Sequence, residues 1–176
     1  MKSKKIIIQQ DPYHLRDQAE NRLWGDIGTW PCRWVTVDIP LHTRLIAAYR
    51  LDFTLEAETT LPLHVTADER YRLFCDGEPM GEGPERGSVD HWYFESYELT
   101  LPPGAHRLTA WVWSMDDLAP MAQMTSGHGF LLGSDAASGS FLNTGTASWQ
   151  AKVLTGIEFV RKPLTGATGA GLFVDG

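Results

Sequence analysis

A chain of 176 residues, 43% of them hydrophobic, fits one domain with short arms and is long enough to bury a sizeable core. Its formal charge of −7, with basic residues clustered only at Lys2, Lys4 and Lys5, argues against the basic face of a nucleic-acid binder. No run approaches the ~20 apolar residues of a membrane span, and Ile6-Ile7-Ile8 falls short of the roughly 7–15-residue core of a signal peptide. A chain starting at Met1 is therefore expected in the cytoplasm, with neither nucleic acid nor membrane as partner.

Taken in order, Asp11-Pro12 predicts the cap and first turn of a short helix, with Tyr13, Ala19, Leu23 and Trp24 on its apolar side and Gly25 at its end. Residues 1–28 then form an arm. Beyond Trp30 the pattern changes to strands: Leu45 to Leu55, Leu61 to Ala67, Tyr71 to Cys75, Tyr97 to Leu101 and His106 to Trp113. Asp76-Gly77 is the dipeptide of a tight hairpin, because both residues tolerate the positive φ that such a turn needs. Pro102-Pro103-Gly104 signals another turn.

From His106 to Trp113, Leu108, Ala110 and Val112 point one way while Arg107, Thr109, Trp111 and Trp113 point the other. A sheet with one apolar face needs a second layer, and helix-period segments are scarce. The expected fold is therefore all-β, a jelly-roll sandwich over residues 29–162, with Met115 to Gly129 crossing between sheets. Phe130-Leu131-Leu132 and Trp149 to Phe159 supply later strands, and Gly127-His128-Gly129 reads as a flexible joint. Residues 163–176 read as a Gly-rich linker, in which Phe173 and Val174 look like the start of a further strand.

The run Thr66-Ala67-Asp68-Glu69-Arg70-Tyr71-Arg72-Leu73-Phe74-Cys75-Asp76-Gly77 resembles the "AD-x-R-Y-R-L-Y-V-N-G" segment of bacterial α-L-rhamnosidases, glycoside hydrolase family 78. Gly81-Glu82-Gly83-Pro84-Glu85-Arg86 is similar to that family's "G-x-GP-x-R" continuation, and Arg50 with Phe53 to its "R-x-x-F" strand. Tyr93, Tyr97, Leu99, Leu101 and Gly104 resemble the aromatic strand that follows. Ala105-His106 departs from the family's "pGxN" turn, and Cys75-Asp76 replaces an apolar residue and Asn.

The resemblance spans roughly residues 30 to 160 and implies an N-terminal accessory sandwich, galactose-binding-like in fold. It implies a parent hydrolase whose catalytic carboxylates lie in a separate helical barrel further along a longer chain. Its partners would be the other domains of that hydrolase, with carbohydrate as a further contact.

Inverting hydrolysis needs an acid and a base about 6.5–9.5 Å apart across a sugar. The carboxylates here, among them Asp68, Glu69, Asp76, Glu82, Asp116 and Asp117, fall mostly in or beside turns and read as solvated. No catalytic residue is therefore assigned. The histidines show no ligand spacing, and an Asp116-Asp117 pair is too little for the 6–8 oxygens of a calcium site, so neither metal nor cofactor is expected.

Cys32 and Cys75 make no redox or metal spacing; they read as buried thiols or, in an oxidising compartment, as a pair. Among seven tryptophans, those near the loop after Arg86 are the candidates for sugar contact: Trp92 and Tyr93, with Arg86, Asp90 and His91. Packing inside a core or between domains is the alternative for the same rings. Three functions follow: a non-catalytic module of a larger hydrolase, a self-sufficient weak carbohydrate-binding domain, or a structural scaffold between domains.

Overall fold

The computed structural model describes residues 1–13, 29–88, 91–134, 139–163 and 169–175. Most of the expected short helix, Ala19, Leu23, Trp24 and Gly25 included, lies outside the described residues, as does part of the expected C-terminal linker. The strands are β1 (Lys2–Ile6), β2 (Leu45–Leu55), β3 (Thr59–Asp68), β4 (Arg70–Cys75), β5 (Glu78–Gly83), β6 (Glu95–Leu101), β7 (Gly104–Ser114), β8 (Gly129–Ser134), β9 (Gln150–Val153), β10 (Ile157–Val160) and β11 (Gly171–Val174).

They form an antiparallel four-stranded sheet, β1-β6-β3-β8, and a five-stranded one, β5-β4-β7-β2-β9. Successive strands change sheet from β2 to β3, β3 to β4, β5 to β6, β6 to β7 and β7 to β8. That crossing pattern makes the sandwich a jelly roll. No helix among the described residues is long and apolar enough to cross a membrane.

Alternation decides which side chains fill the space between the sheets. Leu61, Leu63, Val65 and Ala67 of β3 meet Leu108, Ala110 and Val112 of β7, together with Tyr71 and Leu73 of β4 and Phe130 and Leu132 of β8. All are essentially inaccessible, as half-buried period-two strands require. Arg107 and Trp111 face out of the five-stranded sheet, and Trp111 packs on Phe74 at 5.3 Å between ring centres.

The Asp76-Gly77 turn joins β4 to β5, with φ of 51° and 86° at its two residues, the geometry that suits the twist of a hairpin. Its carboxylate fastens the turn to β7. Arg107 N–H donates to Oδ1 and His106 Nδ1 pairs with Oδ2, both at 2.8 Å, while His106 Nε2 donates to Pro102 O at 2.9 Å. The glycines of the Gly81-Glu82-Gly83 motif make room for two tyrosines, whose hydroxyls meet between the sheets at 3.1 Å. A Cβ on Gly81 would lie 2.5 Å from Tyr97 Oη, and one on Gly83 3.2 Å from Tyr71 Oη.

Four expectations are corrected. Lys2 to Ile6 are not a free arm: they pair with β6, and Lys5 reaches Glu95 at 2.7 Å. A Lys-rich edge strand has no apolar alternation to announce it. Trp149 to Phe159 is two strands, because Gly156, at φ 75°, breaks the run; β9 joins the five-stranded sheet and β10 pairs with β11.

Asp68 and Glu69 are buried rather than solvated. Gly127-His128-Gly129 is a fixed corner, with His128 buried. Cys32 and Cys75 are both buried thiols with no disulfide between them, and burial pushes Cys75 up to about 12.

Candidate functional site

Residues His64, Thr66 and Asp68 alternate with the core side chains of β3 and so face away from the core, yet all three are buried. What covers them is an aromatic layer laid over β3 and β8. The strand-like segment after Thr29 is held there by main-chain bonds, Val35 N–H to Phe130 O at 3.0 Å, Phe130 N–H to Val35 O at 2.9 Å and Arg33 N–H to Thr144 O at 2.9 Å. Gly129 and Gly133 on β8 let the layer lie close. A Cβ at Gly129 would stand 3.0 Å from the Trp34 ring, and one at Gly133 2.9 Å from Tyr13 Oη and 3.0 Å from Cys32 Sγ.

At one end the layer is closed by edge-to-face contacts: Tyr13 on Trp30 at 5.2 Å, Trp30 on Phe94 at 4.9 Å and Tyr13 on His64 at 5.6 Å. Beside these contacts it opens into a cleft of about 910 Å³ lined by the segment from Trp30 to Thr36, residues His91–Phe94 and the Ser126–Gly129 corner, together with Thr66 and Asp68 of β3. That volume is in the roughly 300–1,000 Å³ range of small-molecule sites.

Trp34 and Trp92, which both line the cleft, touch edge to face with ring centres 5.6 Å apart. Trp92 Nε1–H donates to Thr66 Oγ1 at 3.1 Å, and the Thr66 hydroxyl donates to Tyr93 O at 2.7 Å. One hydroxyl on the sheet thereby fixes both aromatic residues of the 91–94 segment that reach the cleft mouth. Trp34 and Tyr93, two of the lining residues, keep 47% and 53% of their surface exposed.

Asp68 is 5% exposed. Its Oδ2 accepts the Ser126 N–H at 2.6 Å, whereas Oδ1 is buried without a hydrogen-bond partner among the described residues. Burial raises its carboxyl above the ordinary range, against the pull of its bonds to the Thr125–Gly127 backbone and hydroxyl. Beside it, His128 Nε2 donates to Pro40 O at 3.1 Å, and Thr36 Oγ1 contacts both His128 Nδ1 and its carbonyl oxygen.

Glu69 turns elsewhere. Its Oε2 and Oε1 accept the N–H groups of Met115 and Asp116 at 2.9 and 3.1 Å, and burial pushes its carboxyl up to about 7.

Of the sequence candidates, His91, Trp92 and Tyr93 line the cleft. Arg86 is exposed and does not line it, and Asp90 lies outside the described residues. Trp34, Thr66, Asp68 and His128 were missed. Period-two reading of Val65 to Asp68 would have put Thr66 and Asp68 on one outer face, but nothing local shows that Trp34 folds over them.

Asp11 Oδ1 accepts the Tyr13 N–H at 2.7 Å and Asp68 Oδ2 holds the Ser126 corner, so each cleft carboxylate is already engaged in fixing backbone. Aspartates 116 and 117 are set apart from the cleft, near His42, Arg44 and Arg161 at 3.4, 3.6 and 3.7 Å.

The chain matches no family model and no curated protein. Among solved structures it is similar to the GH78 family rhamnosidase of Bacillus sp. GL1, at 21% identity and a TM-score of 0.66, over 83% of this chain and 16% of that one. The two share a fold. This chain therefore corresponds to a small part of the length of that enzyme. It also aligns with the apo form of a Pleurotus ostreatus lectin, at 15% identity and a TM-score of 0.48 over 77% of this chain and 40% of the lectin, too distant to bear on function.

Proposed function

We propose that this β-sandwich is a non-catalytic accessory module of an α-L-rhamnosidase-like glycoside hydrolase, packing on other domains and holding carbohydrate in the cleft over β3 and β8. The observation that carries the reading is the cleft itself, lined by the exposed residues Trp34 and Tyr93 and by Asp68, one of whose buried carboxylate oxygens has no hydrogen-bond partner among the described residues. Pyranose rings present apolar C–H faces to aromatic rings and hydroxyl donors to such an acceptor. The "AD-x-R-Y-R-L" hairpin motif and the rhamnosidase-like fold support the parent enzyme class.

Two ring contacts give ~1–3 kcal/mol and each net hydrogen bond ~1 kcal/mol, a total near the ~4 kcal/mol of a millimolar complex. Affinity of that order serves a module tethered to a catalytic partner, where effective concentration replaces tight binding. Isothermal titration with L-rhamnose and D-galactose is expected to give millimolar binding, and the same sample is expected to leave an aryl α-L-rhamnoside intact. Turnover abolished by replacing one carboxylate would end the non-catalytic reading.

A scaffold role is favoured by a different observation. Leu172, Phe173 and Val174 of β11 are 54–63% exposed on a two-stranded ribbon, Leu172 and Val174 on one face and Phe173 on the other, apolar surface suited to packing against a neighbouring domain. Apolar-dye fluorescence lost on Phe173→Ser is the expected result, and a sample that binds no dye would remove this role.

A further inference from the structure

We propose that the cleft selects an uncharged glycosyl unit, with Asp68 Oδ1 accepting one of its hydroxyl hydrogens between the Trp34 and Tyr93 rings, and rejects uronic acids. The inference rests on the carbohydrate reading above and adds which sugars are admitted and which atom decides.

The deciding atom is already oriented. Ser126 N–H occupies Oδ2 at 2.6 Å, so the carboxylate cannot swing to exchange its two oxygens without breaking that bond. Oδ1 is left as a buried acceptor with no partner among the described residues. Such an atom carries a desolvation cost that a donor removes. A sugar hydroxyl is such a donor, and because Oδ1 has less than 1 Å² of accessible surface it reaches that atom through a small shift of the cleft floor. A sugar carboxylate has no proton to give near neutral pH, and it would bring a second negative charge against Asp68 in a water-poor site.

Charge around the cleft points the same way. Among the described residues that line it, Asp11 and Asp68 are acidic and none is Lys or Arg, so an anionic sugar finds no fixed cation. His128, the buried base of the corner, has both ring nitrogens occupied, by Thr36 and by Pro40 O. The aromatic walls are set before the ligand arrives, since Trp92 is pinned to Thr66 and Trp34 lies on Gly129. Preset walls reduce the ordering cost of a small ligand.

The experiment is an NMR titration of the 176-residue chain with L-rhamnose, D-galactose and D-galacturonate at about pH 7, following the Trp34 and Trp92 indole N–H and Ser126 amide signals. The neutral sugars are expected to move these signals with millimolar affinity, and galacturonate to bind at least about tenfold more weakly. Asp68→Asn carries the sharper outcome. Its amide oxygen keeps the Ser126 bond while its NH2 group replaces Oδ1, turning an acceptor into a donor. Neutral sugars should then weaken by about tenfold or more, and galacturonate should bind better than it does to the unaltered chain.

Should that variant fail to fold, Trp34→Ala at an exposed ring tests the same place: it should weaken galactose by about threefold or more without changing the galactose-to-galacturonate preference. Binding of galacturonate as tight as galactose overturns the inference and leaves the carbohydrate reading standing, whereas sugar-induced shifts confined to another part of the sandwich overturn both the inference and the placing of carbohydrate in this cleft. Absence of any shift at about 50 mM of every sugar overturns both.

Discussion

Glu69 lies where β3 passes into β4, with no exposed surface and both carboxyl oxygens facing backbone N–H groups of the Met115–Asp116 turn. Burial raises its carboxyl from 4.5 to about 7. The folded protein therefore keeps a proton that the unfolded chain releases. Its favourable contribution is complete below about pH 4.5 and is lost as pH rises through about 7, so stability falls across that interval.

One pKa unit corresponds to 1.36 kcal/mol, which makes the full effect about 3 kcal/mol and the part between about pH 5 and 6.5 about 2 kcal/mol. Asp68 is shifted in the same direction, so its own contribution is also lost as pH rises through its folded value. With a urea slope of about 2 kcal/mol per molar, the unfolding midpoint should drop by about 1 M over that window. Glu69→Gln should flatten most of the profile. It should also cost about 1–2 kcal/mol at about pH 5, because its NH2 group cannot accept one of the two N–H bonds. A wild-type midpoint that is flat or rises from pH 5 to 6.5, or a variant that keeps the full slope, would refute the reasoning.

Gly81→Ala places a methyl 2.5 Å from Tyr97 Oη and 2.6 Å from the ring itself, so a fully buried tyrosine must move by most of an ångström; a loss of about 1–3 kcal/mol by urea unfolding is expected. An unchanged midpoint would mean that the tyrosine pair yields freely. Burial lowers the His106 pKa, but its bonds to Asp76 and Pro102 O outweigh that and leave it raised. Its contribution is thus present below about 6.5 and lost as pH rises through the folded value. Asp76→Ala should lower the His106 pKa in an NMR titration and cost about 1–3 kcal/mol by freeing the β4–β5 turn from β7. Lys5→Ala removes a partly exposed ion pair with Glu95 and should change stability by less than about 1 kcal/mol in thermal unfolding.

The sandwich was legible where burial imposes a period of two. Leu45 to Leu55 emerges as β2 over the same residues, and the alternation of Leu108, Ala110 and Val112 against Arg107 and Trp111 is the inside and outside of β7. Edges were not legible. Nothing apolar distinguishes Lys2 to Ile6, whose pairing depends on main-chain bonds to β6 more than on side-chain burial.

The site was legible in part for a similar reason. Trp92 and Tyr93 drew notice as aromatics beside a glycine-rich loop. Asp68 looked like one more surface acid, because its partner Ser126 stands 58 residues later in the chain, and a single sequence gives no sign of that contact.

Neighbouring residues of β3 belong to different tasks. Leu63, Val65 and Ala67 are locked into the interior, while His64, Thr66 and Asp68 face the aromatic cover. Exchanging one of the outer three changes the contacts with that cover and leaves interior volume untouched. One strand thereby carries two separable surfaces, so the covered face can be re-cut by substitution without disturbing the layers beneath.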